Sequence, residues 1–127
     1  MFKGSCLCGG VSFEVKGNLV GATSCHCGQC RKNSGHYWCS TPTADDTFTL
    51  TSSGALKWYA SSENAKRGFC SDCGSFLFWK HSDEPEISIS MAAFDTPTGL
   101  KLSKHIFVAD KGDYYDITDG VAQFDTF

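Results

Sequence analysis

The sequence predicts a mostly β protein, a small sandwich or folded-over sheet of short antiparallel strands. Apolar and polar residues alternate in short steps along the chain, which is the period of a half-buried strand. The 13 glycines suit a fold that contains many tight turns. No window keeps an apolar pattern at three- and four-residue spacing, so no long helix is expected.

The predicted strands follow the segments in which this alternation is clearest. In VSFEVKG, Val11, Phe13 and Val15 fall on one face of a strand, with polar residues between them. SFLFWK is apolar almost throughout, which is typical of a strand buried on both faces. Two short helices are predicted, around residues 29–34 and 60–65. The other predicted strands lie, in chain order, in TFTLTSSG, ALKWYAS, EISISMAAF and KLSKHIFVAD.

Length and composition fit one domain, residues 1–127, and argue against several classes of function. The 127 residues are 41% hydrophobic and 13% aromatic, which is enough to bury a core. The formal net charge is -3 and Lys and Arg form no dense block, so nucleic acid is not an expected partner. The N-terminal MFKGSCLCGG lacks a signal-like apolar run, and no membrane helix is expected. We therefore expect a cytoplasmic protein, whose tail 113–127 forms a last strand or a loosely held end.

Seven of the eight cysteines fall in three short clusters whose spacing predicts zinc sites. Two thiolates on one tight turn can point at the same metal, about 2.3 Å from each sulfur. A disulfide framework is the alternative, but it belongs to secreted domains, and this chain shows no secretory signal. A redox dithiol would require a βαβ context that the sequence lacks. In chain order the clusters are Cys6-Leu-Cys8, Cys25-His-Cys27-Gly-Gln-Cys30 and Cys70-Ser-Asp-Cys73.

The clusters divide into a closed set and an incomplete set. Four thiolates make a structural zinc site, whereas three protein ligands leave one position open. Three thiolates make zinc a weak Lewis acid, but such a site is suited to capturing a thiol in its ionised, nucleophilic form. Pairing the C-x-C with the C-x-x-C predicts structural ligands Cys6, Cys8, Cys70 and Cys73, and leaves Cys25, Cys27 and Cys30 as the predicted catalytic ligands.

Several residues near the incomplete set have two interpretations. Cys39 could close the site, although a buried strand residue that packs as a small hydrophobe is expected. His26 lies between two predicted ligands and is expected to point away from them. His36 is nearest to the open position, but we expect a hydrogen-bonded structural histidine. His105 lies in a predicted strand and could line the pocket, and Arg31-Lys32 could attract a thiol that carries a carboxylate.

The order of the cysteine motifs resembles the glutathione-dependent formaldehyde-activating enzyme family, which includes centromere protein V-like members. The motifs are G-S-C-x-C-G-x-V-x-F at 4–13, C-H-C-x-x-C-R-K-x-x-G at 25–35 and F-C-x-x-C-G at 69–74, and the resemblance covers about 4–110. It implies a β-tent fold with two zinc ions per chain, the four-cysteine set holding the structural zinc and the three-cysteine set the catalytic one.

The activity that this resemblance implies is the addition of a thiol, glutathione or a similar one, to formaldehyde or another small aldehyde. The family enzymes are classed as carbon–sulfur lyases for the reverse direction. The alternative is a non-enzymatic module that binds a partner and in which both zinc ions are structural.

Overall fold

A computed structural model describes all residues 1–127 and confirms the mostly β class. Eleven short strands are joined by turns, by three single 3-10 turns and by one helix, α1 (Gly28–Ser34). The strands are β1 (Phe2–Ser5), β2 (Ser12–Val15), β3 (Ala22–Cys25), β4 (Trp38–Ala44), β5 (Phe48–Ser52), β6 (Leu56–Ala60), β7 (Ala65–Cys70), β8 (Phe76–His81), β9 (Glu86–Ser90), β10 (Leu102–Ile106) and β11 (Ala122–Gln123).

The strands form two sheets. The smaller sheet has the order β1-β2-β5, and the larger has the order β11-β10-β3-β4-β9-β8-β7-β6. Every pair is antiparallel except those of β10, which runs parallel to both β3 and β11. A bridge between Gly4 and Phe94 connects the two parts of the fold. A Cβ at Gly4 would lie 2.3 Å from the carbonyl oxygen of Ala93, so only glycine permits this approach.

The core lies where the inner face of β2 meets the larger sheet. Val11, Phe13 and Val15 are all buried, as their alternation predicts. The Phe13 ring contacts the rings of Phe78 and Phe94 edge-on, with centroids 5.6 Å and 5.3 Å away. Aromatic pairs in this arrangement add roughly 0.5–1.5 kcal/mol to the free energy of burial. The core therefore holds the two sheets in a fixed relation.

Two details of the secondary structure differ from the predictions. The helix predicted around residues 60–65 is wrong, because Ser61–Asn64 form the turn that joins β6 to β7. The backbone N–H groups of Ser61 and Ser62 both donate to the carbonyl of Ala65, which closes the hairpin. The strand β8 is buried on both faces only at Leu77 and Phe78, and its ends are half-exposed.

The cysteine clusters occupy three turns at strand ends. The C-x-C lies in the connection from β1 to β2, and the C-x-x-C joins β7 to β8. The C-x-C-x-x-C runs from the end of β3 into α1, whose predicted position is confirmed. None of the helices has the length and apolar composition that a membrane crossing requires.

Candidate metal centres

The C-x-C and C-x-x-C clusters meet in space, as their spacing predicts. The Sγ atom of Cys8 lies 3.7 Å from the Sγ atoms of both Cys6 and Cys70. Ligands about 2.3 Å from a tetrahedral metal lie about 3.8 Å from one another, so these separations fit zinc. They are far too long for a disulfide, and all eight cysteines are free. Four Sγ atoms lie within 4.8 Å of one another, those of Cys6, Cys8, Cys70 and Cys73.

Backbone N–H groups point at the sulfur atoms of this four-cysteine cluster. The N–H of Val11 donates to the Cys6 Sγ atom at 3.3 Å, and the N–H of Cys73 donates to the Cys70 Sγ atom at 3.4 Å. The second turn is possible because Gly74 follows it with φ +78°, in the left-handed region that glycine adopts at no steric cost. Hydrogen bonds from amides favour thiolates, so the backbone itself supports ionised ligands.

Cys73, the last cysteine of this cluster, has a lowered pKa because of its contacts with Ser75. The hydroxyl of Ser75 lies 3.2 Å from the Cys73 Sγ atom. This hydroxyl first, and then the backbone N–H of Ser75, lower the pKa of Cys73 to about 5. Cys73 is therefore ready to bind a metal as a thiolate at neutral pH.

The second cluster, the triad of Cys25, Cys27 and Cys30, lies where β3 ends and α1 begins. Cys27 precedes the helix, and its Sγ atom accepts a hydrogen bond from the N–H of Cys30 at 3.4 Å. The three Sγ atoms lie within 4.8 Å of one another, and no histidine, carboxylate or fourth cysteine joins them. Cys30 is buried, whereas Cys25 and Cys27 are half-buried. The triad thus offers three ligands to a metal.

Cys39 does not close the triad, because it points to the other face of the sheet. Across the pair of strands β3 and β4, Trp38 lies opposite Cys25 and Cys39 lies opposite Ser24. Opposed residues share a face of the sheet and neighbouring residues face opposite ways. Cys39 lies in a strand, as expected, but it is half-buried rather than buried, and Trp38 is the side chain beside the triad.

The electrostatics of the triad fit a divalent metal. Hydrogen bonds from Cys25 and then Cys30 hold the pKa of the Cys27 thiol far below its ordinary value. The same contacts, from Cys27 and then Cys30, raise the pKa of Cys25. Ionisation of one thiol of the triad, that of Cys27, is therefore favoured, and the contacts with it oppose ionisation of a second thiol, that of Cys25. A cation that prefers sulfur ligands removes this opposition, and zinc has that preference.

A buried guanidinium also contacts the triad. Arg67 of β7 is only 5% exposed, and its Nη1 atom donates to the Cys30 Sγ atom at 3.6 Å. Its Nε atom donates to the side-chain oxygen of Gln29 at 3.2 Å. The carbon at the centre of the guanidinium lies 5.4 Å from the centroid of the Phe76 ring. The only buried cation of the protein is thus fixed against a predicted metal ligand.

Two stacked aromatic rings, those of Trp38 and Phe76, form a wall beside the triad next to Arg67. The Trp38 ring stacks on the Phe76 ring with centroids 4.3 Å apart and planes inclined by 23°. Phe76 therefore lies between Trp38 and Arg67, and Trp38 in turn is opposite Cys25. The Nε1 atom of Trp38 is buried and has no hydrogen-bond partner. The wall is therefore apolar except for the N–H group of Trp38 and the guanidinium N–H groups of Arg67.

The opposite face of the same strand end carries a chain of hydrogen-bonded side chains. The Nδ1 atom of His26 is hydrogen-bonded to the Tyr115 hydroxyl, and its Nε2 atom lies 2.9 Å from Nδ1 of His105. The Nε2 atom of His105 lies 2.8 Å from a carboxylate oxygen of Asp119. Burial, and then His105, lower the pKa of His26 to about 4, so this imidazole is neutral at pH 7. His26 points away from the triad, as predicted, and ties the C-terminal segment to the strand that carries Cys25.

The two other histidines of interest lie on that face as well. A cavity of about 170 Å³ is lined by His36, Tyr37, His105 and Tyr115, among others. His105 thus lines a cavity, but not one at the triad. His36 is exposed and its ring packs against Tyr115, with centroids 4.2 Å apart. The hydrogen-bonded structural role expected for His36 is wrong, because its exposed ring makes no hydrogen bond within the protein and is solvated instead.

Sequence reasoning missed the residues that surround the triad. The cation that contacts the cysteines is Arg67, which no sequence motif singled out, whereas attraction of a substrate carboxylate by Arg31 and Lys32 stays a prediction. One signal for Arg67 was present. It precedes a cysteine cluster in a strand where the exposed Lys66 faces the other way, so alternation directs Arg67 inward.

Comparisons with known proteins agree with this geometry. The family model described as glutathione-dependent formaldehyde-activating enzyme matches residues 1–110. The chain is 26% identical over 128 residues to an uncharacterized lyase of Schizosaccharomyces pombe, a match that covers 97% of this chain and 90% of that protein. A crystal structure of a Rhodobacter sphaeroides protein, a structural genomics target, superposes with a TM-score of 0.63 at 20% identity. That alignment covers 96% of this chain and 98% of the other, and shows a shared fold.

Proposed function

The chain belongs to the glutathione-dependent formaldehyde-activating enzyme family, and from this membership we propose that it is a zinc-dependent carbon–sulfur lyase. In the synthetic direction it adds a thiol, glutathione or a similar one, to formaldehyde or another small aldehyde. The relative from Schizosaccharomyces pombe, which carries the name lyase, supports this class of reaction. The thiol loses its proton, its sulfur attacks the carbonyl carbon, and the oxygen is protonated to give a hydroxymethyl thioether.

One observation carries the proposal, namely that the triad has no fourth protein ligand. Cys25, Cys27 and Cys30 hold their Sγ atoms within 4.8 Å of one another, and no other cysteine, histidine or carboxylate joins them. Zinc bound there would supply a position for a substrate thiol and would favour its ionised form. A purely structural metal would be expected to have four protein ligands, as the other cluster does.

The chain's own residues supply position and charge around that metal. Cys27 lies at the start of α1 and Cys25 at the end of β3, so two regular elements fix the ligands. Trp38 and Phe76 provide an apolar wall that keeps water from one side of the triad. Arg67 provides the positive charge. Holding a thiol and an aldehyde together in such a place accelerates their combination by proximity.

The four-cysteine cluster has a structural role in this proposal. Cys6, Cys8, Cys70 and Cys73 connect the turn after β1 to the turn after β7, and so join the two sheets. All eight cysteines are free thiols, seven of them in the two clusters, and this suits the reducing cytoplasm, which is where we propose that the protein acts.

The direct test is a rate measurement with zinc-loaded protein, a thiol and ¹³C-labelled formaldehyde, followed by NMR exchange spectroscopy. Thiols add to formaldehyde without a catalyst, so the result expected is an exchange rate above that of the same mixture without protein. Glutathione, cysteine and 2-mercaptoethanol distinguish thiol specificity. Cys27→Ser removes a triad ligand and should abolish the acceleration.

Cys39→Ser is the matched control, because it removes a half-buried thiol that belongs to neither cluster. It should keep the wild-type rate and zinc content. If no thiol and aldehyde exchange faster with the protein than without it, the enzymatic proposal is wrong, and the alternative of a two-zinc interaction module takes its place.

A further inference from the structure

Arg67 has no partner that accounts for its burial. Its side chain is 5% exposed, and the ion pairs of the protein all join other residues, so no carboxylate neutralises it. Removing a guanidinium from water without a counter-ion costs several kcal/mol. The anion available to Arg67 is the triad, whose Cys30 sulfur accepts a hydrogen bond from it. The positive charge of Arg67 therefore lies against the cysteines that could hold a metal.

The guanidinium also retains unused donors. Only one N–H group of Nη1 and the N–H of Nε are engaged, with Cys30 and Gln29 respectively, so the remaining N–H groups of Arg67 have no acceptor within the protein. The buried Nε1 of Trp38, on the same wall, has no acceptor either. Of these donors only the Trp38 Nε1 is fully buried without a partner, whereas the free N–H groups of Arg67 remain open to a ligand that brings negative charge or lone pairs to the triad.

The charges at the triad disfavour an anionic fourth ligand relative to a neutral one. Three thiolates and a divalent metal leave one net negative charge, and a thiolate that joins them meets repulsion. A neutral donor such as imidazole meets none. The positive charge of Arg67, in contact with Cys30, offsets the excess charge of the cysteines.

We propose that Arg67 is the specificity-determining residue of the triad, selecting an anionic sulfur ligand over neutral donors. This inference rests on the proposed function, because it assigns the open position of the triad to a substrate thiol. Arg67 acts through its charge, which its contact with Cys30 places beside the triad.

The test is a ligand titration of Co²⁺-loaded protein, read from the visible absorption of the cobalt, with 2-mercaptoethanol as the anionic ligand and imidazole as the neutral one. Arg67→Met removes the charged guanidinium group and keeps an unbranched apolar stem. It should weaken binding of 2-mercaptoethanol by about tenfold or more, corresponding to about 1.4 kcal/mol, while the affinity for imidazole changes less than about threefold. Arg67→Lys restores a positive charge and should recover most of the preference.

The matched control is Lys66→Met, on the same strand but on its other face, where the Lys66 ammonium lies over the Trp58 ring. It should leave both affinities at their wild-type values. Thermal unfolding of each variant distinguishes a lost fold from a lost preference, and Arg67→Gln, which is neutral but keeps hydrogen-bonding groups, replaces Arg67→Met if that variant does not fold.

The outcomes separate this inference from the proposed function. Equal weakening of both ligands in Arg67→Met, or unchanged binding of 2-mercaptoethanol, overturns the role of Arg67 even when the wild-type protein catalyses thiol addition. Selective loss of thiol binding supports Arg67 even when no aldehyde reacts, in which case only the enzymatic proposal fails. If the wild-type cobalt spectrum does not respond to thiol, both are overturned.

Discussion

The two cysteine clusters are built from the same ligand type but are supported by different means. The four-cysteine cluster receives hydrogen bonds from backbone N–H groups, as from Val11 to Cys6, and needs no charged side chain. The triad receives one backbone hydrogen bond, to Cys27, and one from the buried guanidinium of Arg67, to Cys30. The four cysteines are thus supported by hydrogen bonds from neutral groups, whereas the three cysteines of the triad also have a buried positive charge beside them.

The clusters also differ in what they connect. The four-cysteine cluster joins segments more than sixty residues apart, because Cys8 and Cys70 are separated by 62 positions. The triad lies within six consecutive residues, Cys25–Cys30, so losing its metal leaves the strand pairing on both sides in place. Stability should therefore depend chiefly on one cluster and activity on the other.

The largest effect is expected from Cys70→Ser. Cys70 is fully buried in the four-cysteine cluster, and structural zinc contributes on the order of 10 kcal/mol to the folding of small zinc domains. That is comparable to the whole stability of a domain, about 5–15 kcal/mol. The variant should lose its cooperative unfolding transition in urea, as followed by circular dichroism. A Cys70→Ser protein with wild-type stability would contradict the structural assignment.

The second effect is expected from Cys27→Ser, and it should be confined to the triad. Zinc content should fall from about two ions per chain to about one, and thiol-dependent exchange of formaldehyde should stop. The free energy of unfolding should change by no more than about 1–2 kcal/mol, because Cys27 itself lies outside every strand. Elemental analysis and urea unfolding of the same sample check both parts, and loss of both zinc ions would show that the clusters are not independent.

The third test compares how firmly the two clusters hold zinc, without mutation. A graded chelator titration should remove one zinc first, from the triad, because three ligands hold a metal less firmly than four. During this step the unfolding temperature should stay near its initial value, and activity should disappear. The second zinc should leave only as the protein unfolds. Simultaneous loss of both ions with the fold would remove the distinction drawn between the two clusters.

A smaller effect is expected from Tyr115→Phe, which tests the support behind the triad. The Tyr115 hydroxyl is hydrogen-bonded to buried His26, which lies between Cys25 and Cys27 in the sequence. Removing this hydroxyl should lower the free energy of unfolding by about 1–3 kcal/mol. Zinc affinity at the triad should fall severalfold, and that at the four-cysteine cluster should not change. Tyr114→Phe is the control, because its hydroxyl donates to the carbonyl of Gly35 at an exposed position. If both variants behave alike, the C-terminal segment does not support the triad.

Much of this arrangement could be predicted because it is local. Within each cluster, a spacing of one or two residues places the cysteines on one turn, and such turns hold metals whatever the surrounding fold. The strand β2 could be predicted for the same reason, since Val11, Phe13 and Val15 alternate within a few residues and one face has to be buried. The helix predicted at residues 60–65 was wrong because pairing between β6 and β7 outweighs a weak local preference.

The sequence by itself determined the two sets of clustered cysteines, one of four and one of three, that could hold metal ions. The tertiary structure alone decided what surrounds that second set. Arg67 is 37 positions from Cys30, and Tyr115 is 89 positions from His26, so no local pattern connects them. The pairing of β7 with its neighbours brings a buried charge to one face of the triad region, and the C-terminal segment covers the other. Burial then makes each contact strong, because charges and hydrogen bonds removed from water have few alternative partners.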